Sequence, residues 1–135
     1  MKALITGGSG YFGSLLVNRL ITKGWDCRVL DINEFRGRKE AEFIEGDIRD
    51  IALLTKACKA VDVVFHNVAQ VPLAKDKHLF ETVNINGTVN ILNASLKCGV
   101  NKVVYTSSSA VYGVPSSNPV TEDMIPNPKE DYGKA

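Results

Sequence analysis

The segment Thr6-Gly7-Gly8-Ser9-Gly10-Tyr11-Phe12-Gly13 constrains this chain more than any other, because it lies between an apolar run, Lys2 to Thr6, and a helical period. In that period Phe12, Leu15, Leu16 and Leu20 follow the spacing of one helical face, and Gly24 closes it. Glycines at 7, 10 and 13 allow a tight turn, close approach of a ligand to the backbone, and close packing of helix on strand. The helix N-terminus then aims its amides at a negative charge, which makes the turn a cradle for a diphosphate. A Walker-type phosphate loop is excluded, since no Gly-Lys-Ser/Thr follows at the required distance.

The rest of the chain repeats the alternation. Cys27 to Asp31 reads as a second strand and Ala41 to Glu45 as a third, separated by the polar stretch Asn33 to Lys39. Ile51, Leu54 and Cys58 keep helical spacing, and Val61 to His66 is an apolar run suited to a strand covered on both faces. Leu79 to Leu96 reads as a long helix with Ile85, Val89, Leu92 and Leu96 on one side, stopped by Gly99, and Lys102 to Thr106 as a fifth strand. Strands alternating with helices imply a parallel sheet with right-handed crossovers, a doubly wound α/β layer. From Ser107 the texture changes. Pro115, Pro119, Pro126 and Pro128 crowd a segment over 108–131 that reads as a loop, and long loops at the carboxyl ends of such strands carry function. Asp131 to Ala135 opens another helix.

Composition narrows the class further. The 135 residues suit one domain, and 44% hydrophobic with 23% charged residues is a globular balance. A net charge of +1 offers no footprint for nucleic acid or an anionic membrane. Cys27, Cys58 and Cys98 are odd in number, widely spaced and set in apolar runs, which argues against a disulfide framework or a metal knuckle and for a reducing compartment. No signal-peptide core or membrane-length stretch is present, so a soluble cytoplasmic protein without a metal site is expected. The sequons at Asn86 and Asn93 fall within the helical pattern and read as helix surface.

Asp31 closes the second strand, twenty-one residues after Gly10. A carboxylate there would accept hydrogen bonds from an adenosine ribose and repel a 2′-phosphate, so NAD is expected over NADP. Arg36, Arg38 and Lys39 lie just beyond and could bind a 2′-phosphate; the blander account is a solvated charged loop. The turn by itself also fits an S-adenosylmethionine-dependent methyltransferase.

Five segments carry a resemblance. TGGSGYFG matches TGxxGxxG, Gly46-Asp47-Ile48-Arg49-Asp50 matches GDxxD, and Phe65-His66-Asn67-Val68-Ala69 matches xHxAA with Val68 at a position usually smaller. Asn84-Ile85-Asn86-Gly87-Thr88 matches NxxGT, and Ser107-Ser108-Ser109-Ala110-Val111-Tyr112-Gly113 matches SSxxVYG. Together they resemble the N-terminal half of an extended short-chain dehydrogenase/reductase, the group of NAD-dependent sugar-nucleotide epimerases and dehydratases and 3β-hydroxysteroid dehydrogenases. The shorter, classical reductases would need glycine where Tyr11 stands. The resemblance implies a Rossmann-type fold and a cofactor set of Gly7, Gly10, Tyr11, Phe12, Gly13, Asp31, Asp47, Ile48, Asn67, Val68, Ala69, Asn84 and Ser107, with Asp47 and Ile48 at the adenine. Taken singly, His66 is an ordinary core histidine and Asn84 a tie between helix and strand.

The resemblance also implies a catalytic pair. Ser108 supplies a hydroxyl to a substrate oxygen and Tyr132 acts there as general acid/base, while hydride passes to or from the nicotinamide. The family's YxxxK places a lysine at position 136, and Lys134 is no substitute, because i+2 lies on nearly the opposite side of a helix from i. The expected entity is thus a cofactor half whose substrate region is missing, inactive alone, with an exposed fifth-strand edge that favours self-association. The substrate class implied is a sugar nucleotide or a hydroxysteroid-like molecule. 4,6-Dehydration is disfavoured, since Ser109-Ala110 stand where dehydratases carry Asp-Glu. A homodimer through the 79–99 helix is expected, and a non-catalytic dinucleotide sensor is the alternative on the same fold.

Overall fold

Five short strands build one all-parallel sheet in the computed structural model, which describes residues 1–71 and 76–135. They are β1 (Lys2–Thr6), β2 (Asp26–Asp31), β3 (Glu42–Glu45), β4 (Val63–His66) and β5 (Lys102–Tyr105), in the order β3-β2-β1-β4-β5. The winding runs outward from β1 in one direction through β2 and β3, then reverses to β4 and β5. The reversal puts a crevice beyond the carboxyl ends of β1 and β4, where Thr6 is paired in register with His66. Around the sheet lie α1 (Tyr11–Thr22), α2 (Ile51–Ala57), α3 (Asn86–Cys98), which continues a π-helical turn over Phe80–Ile85, and α4 (Asp131–Lys134).

Alternation along β1 and β2 divides the core between the two faces of the sheet. Leu4, Leu30 and Val64 meet Leu54 of α2 and Ile91 of α3 on one side. Ala3, Ile5 and Val29 meet Val17 and Leu20 of α1 on the other. Each fully buried Leu, Ile or Val contributes on the order of 1.5–3 kcal/mol, so both helical layers are held by the central strands.

The strands and helices stand where the sequence places them, within a residue or two, but the apolar spacing does not by itself mark the face that is buried. On α1 the buried residues are Gly13, Val17 and Leu20, while Phe12 and Leu15 are about half exposed. On α3 the buried face is Gly87, Ile91, Ala94 and Ser95. The stripe Ile85, Val89, Leu92 and Leu96 faces outward, with Leu96 83% exposed. Close approach to the sheet and the neighbouring turn selects small side chains: a Cβ on Gly87 would lie 2.7 Å from Cγ2 of Ile48. Apolar spacing on α1 finds Leu16 and Leu20, which pack in the core, together with the exposed Phe12 and Leu15, whereas on α3 its stripe lies away from the sheet.

The 108–131 segment is not wholly a loop. Ser109–Tyr112 forms a 3-10 turn, because Ser108 takes an extended conformation and its Oγ accepts from the Ala110 amide at 3.2 Å. Gly113 leaves that turn with φ 60°, which favours glycine.

Candidate functional site

The glycine turn is shaped by three close approaches. Gly7 has φ 70°, its amide donates to Leu30 O at 2.9 Å, and a Cβ there would lie 3.1 Å from the backbone of Asn67 and Val68. The Gly10 amide closes the turn on Gly7 O at 3.2 Å. A Cβ on Gly13 would fall 2.2 Å from that same oxygen, so only glycine lets α1 start against the turn. Gly10 caps α1 in an extended conformation and offers no side chain to the first-turn amides. Those amides have no partner within the helix and carry its positive dipole end, so this cradle fits the charge of a diphosphate. Tyr11 and Phe12 supply first-turn backbone; their side chains are exposed and outside the cavity wall.

Asp31 closes β2 and is 8% exposed. Its Oδ2 accepts from the Ser9 amide at 3.0 Å and its Oδ1 from the Asn33 amide at 2.9 Å. The Ser9 hydroxyl donates to Asn33 O at 2.9 Å, which fastens the glycine turn to the loop after β2. The carboxylate thus keeps lone pairs for a diol while its orientation is fixed. The basic residues beyond it are engaged locally: Arg36 pairs with Glu34 at 3.0 Å and Arg38 with Glu40 at 2.7 Å, on exposed surface.

A cavity of about 320 Å³ runs from this turn along the strand ends, lined by Gly7, Gly10 and Asp31, then by Asp47, Ile48 and Arg49, then by Asn67, Val68 and Ala69. In GDxxD the two aspartates do different work. Asp50 caps α2, its Oδ1 accepting from the Ala52 and Leu53 amides at 3.0 Å. Asp47 is held by Arg49, whose hydrogen bonds keep its carboxyl below the usual carboxylate range. Ile48 is buried, with its carbonyl and that of Arg49 accepting from Asn90 Nδ2 of α3 at 3.4 and 3.3 Å.

Behind the β4 end lies a polar relay that motif matching alone does not reveal. Thr88 Oγ1 donates its single proton to Asn84 O at 2.5 Å, so it accepts from His66 Nε2–H at 3.1 Å. Nδ1 of His66 is then unprotonated and accepts from Thr6 Oγ1–H at 2.7 Å. The imidazole is 1% exposed, and burial pushes its pKa down to about 4. It stacks on Tyr105 with centroids 5.5 Å apart. Asn84 uses its amide on Gln70, accepting from Gln70 N at 2.7 Å and donating to Gln70 O at 3.1 Å, so it fixes the backbone that follows β4. Asn67 Oδ1 accepts from Thr106 Oγ1 at 2.6 Å and links the ends of β4 and β5.

A second cavity, of about 220 Å³, brings Ser107 and Ser108 together with Tyr132, and Asn84 and Ala69 also line it. Ala69 is therefore common to both cavities. Because the Ser108 oxygen already accepts from Ala110, its proton remains to be donated. Tyr132 stands on α4 edge-on to Phe80 at 6.2 Å between centroids, and Lys77 Nζ bonds Asp131 at 2.7 Å, so the π-helical turn and the residues before it support the tyrosine. Nothing in the sequence flagged Phe80. Its signal was the ordinary apolar spacing of a helix.

The model of the NAD dependent epimerase/dehydratase family matches residues 3–135. The chain belongs to that family. Membership decides the choice the glycine turn left open, against the methyltransferase. A UDP-glucose 4-epimerase of Lactobacillus helveticus is 38% identical over 99% of this chain and 43% of its own length. The decarboxylating sterol-4-alpha-carboxylate 3-dehydrogenase of Homo sapiens is 34% identical over 91% of this chain and 33% of its own. Among solved structures, a short-chain dehydrogenase/reductase superfamily protein from Agrobacterium tumefaciens with bound NAD superposes with a TM-score of 0.92 at 32% identity, covering 99% of this chain and 41% of that one. The chain thus spans less than half the length of these relatives. Among the described residues, no helix is long and apolar enough to cross a membrane and no cluster of ligating side chains could hold a metal ion.

Proposed function

We propose that this chain is the NAD-binding portion of an oxidoreductase or epimerase of the extended short-chain dehydrogenase type, acting at a hydroxyl-bearing carbon of a sugar nucleotide. The observation that carries the reading is the shared wall at Ala69: a cavity lined by the glycine turn and the buried Asp31 carboxylate adjoins one holding Ser108 and Tyr132. NAD supplies a hydride acceptor when bound. The glycine turn and first-turn amides of α1 bind its diphosphate, Asp31 its adenosine ribose, and Asp47 with Ile48 the adenine. Ser108 Oγ donates to the reacting oxygen of the substrate, and Tyr132 Oη takes or returns the proton there. Residues 108–131 serve as the active-site loop, and the substrate-side region is the part of the relatives that this chain does not span.

The epimerase relative favours a nucleoside diphosphate sugar. A hydroxysteroid-like substrate is the second reading, favoured by the sterol dehydrogenase relative. The outward stripe of α3, at positions 85, 89, 92 and 96, has the 4-3-4 spacing of a helix–helix seam and supports a homodimer. The test is made on the whole protein that carries this chain. Tyr132→Phe should lower NAD-dependent turnover of UDP-glucose or UDP-galactose by roughly 10²–10⁴-fold with little change in NAD affinity. Turnover of a 3β-hydroxysteroid instead would select the second reading, and an unaffected rate in the phenylalanine variant would remove Tyr132 from the chemistry.

A further inference from the structure

Arg49 has no role in the site as proposed, yet it lines the cofactor cavity beside Asp47. Three donors of this one residue converge on one carboxylate. Its backbone amide and Nε donate to Oδ1, each at 2.9 Å, and Nη2 donates to Oδ2 at 2.5 Å. The turn that carries both residues is itself fastened: the Asp50 amide donates to Asp47 O at 3.0 Å, and Asn90 bonds the carbonyls of Ile48 and Arg49. Neither rotation of the carboxylate nor movement of its backbone is then free. The acceptor capacity left on Asp47 is held at one position on the wall, beside apolar lining from Ile48, Leu79 and Val83 that suits the face of a planar base.

A carboxylate acceptor fixed at the rim of an apolar slot reads an amino group, not a carbonyl. A purine with a 6-amino group gains a charge-assisted hydrogen bond there, whereas one with a 6-oxo group turns an acceptor toward an acceptor. We infer that Arg49 is a specificity-determining positioning residue, whose fork on Asp47 holds that carboxylate as the acceptor selecting a 6-aminopurine at the base end of the cavity. The inference rests on the NAD reading and on the assignment of Asp47 to the base.

Calorimetric titration of the whole protein that carries this chain with NAD and with its 6-oxo analogue, nicotinamide hypoxanthine dinucleotide, tests it. The unaltered chain should prefer NAD by about tenfold. Arg49→Met should weaken NAD by most of that factor, leave the 6-oxo analogue within about twofold, and so bring the ratio toward one. Arg49→Lys keeps the charge without the planar fork and should fall between. Melting curves establish that both variants fold, and the lysine variant alone suffices if the methionine variant does not. An unchanged ratio, or equal weakening of the two dinucleotides, overturns the role of Arg49 while leaving the NAD reading standing. Failure of the unaltered chain to bind either dinucleotide overturns the NAD reading and the inference with it.

Discussion

Replacing Gly13 by alanine should weaken NAD binding and stability together, and the structure says by how much. The added methyl would meet Gly7 O at 2.2 Å and Gly8 Cα at 2.7 Å. Both distances are roughly 1 Å or more inside ordinary van der Waals separation. The neighbours are backbone, so no rotamer change relieves the clash. Either α1 retreats, which disturbs Val17 and Leu20 in the core, or the turn opens and loses the bond from the Gly10 amide to Gly7 O. Overpacking of this kind costs about 1–3 kcal/mol, which lowers the melting temperature by roughly 3–5 °C per kcal/mol in a domain of this size. Opening the cradle also separates the first-turn amides from the diphosphate, so NAD affinity should fall at least about tenfold.

The comparison variant is Gly24→Ala, at the far end of the same helix. Its methyl meets nothing within 4 Å, but φ is 80°, so it brings backbone strain of about 1–2 kcal/mol without touching the cradle. Thermal unfolding and calorimetric titration on both variants separate the two effects: Gly24→Ala should lose stability alone. If Gly13→Ala binds NAD as the unaltered chain does, or Gly24→Ala loses affinity equally, the cradle is not where the diphosphate lies.

Other outcomes follow from the same geometry. Asp31→Ala should raise the affinity for NADP relative to NAD by at least about tenfold, through loss of the ribose acceptor and of its repulsion of a 2′-phosphate; an unchanged ratio in fluorescence titration would remove Asp31 from cofactor choice. His66 has a folded pKa near 4, below its ordinary 6.5, so the unfolded chain binds the extra proton between those values. Stability is therefore full above about pH 6.5 and falls as pH drops toward 4, by on the order of 3 kcal/mol, and denaturant unfolding across that window should show a slope that His66→Gln removes. Burial raises the Cys27 thiol to about 11 and also raises Cys58, so an alkylating reagent at pH 8 should modify both only on unfolding, as peptide mapping would report. Leu92→Glu should shift a dimer to monomer in sedimentation, and a dimer that survives it would place the interface elsewhere.

The order of strands and helices was legible in the sequence because each rests on local chemistry: an apolar run of one length, a helical spacing of apolar residues, a glycine such as Gly24 or Gly99 where φ is positive. The two cavities were legible in outline, since Asp31, Asp47, Asn67 and Ser108 all sit at strand ends or just after them, and a parallel sheet brings strand ends together. Orientation was not. Periodicity marks which residues of α3 share a face, but the face that packs is chosen by what stands opposite, here Ile48 against Gly87, and that pairing spans 39 residues. The polar relay was hidden for the same reason. Thr6, His66 and Thr88 each belong to a different motif, and only the register that sets Thr6 beside His66, with α3 packed behind them, turns three separate side chains into one chain of hydrogen bonds. Residues that line the cavities announce themselves by type and position along the chain, whereas those that hold them in place, such as Phe80 behind Tyr132, are set by contacts between distant segments and emerge only with the fold.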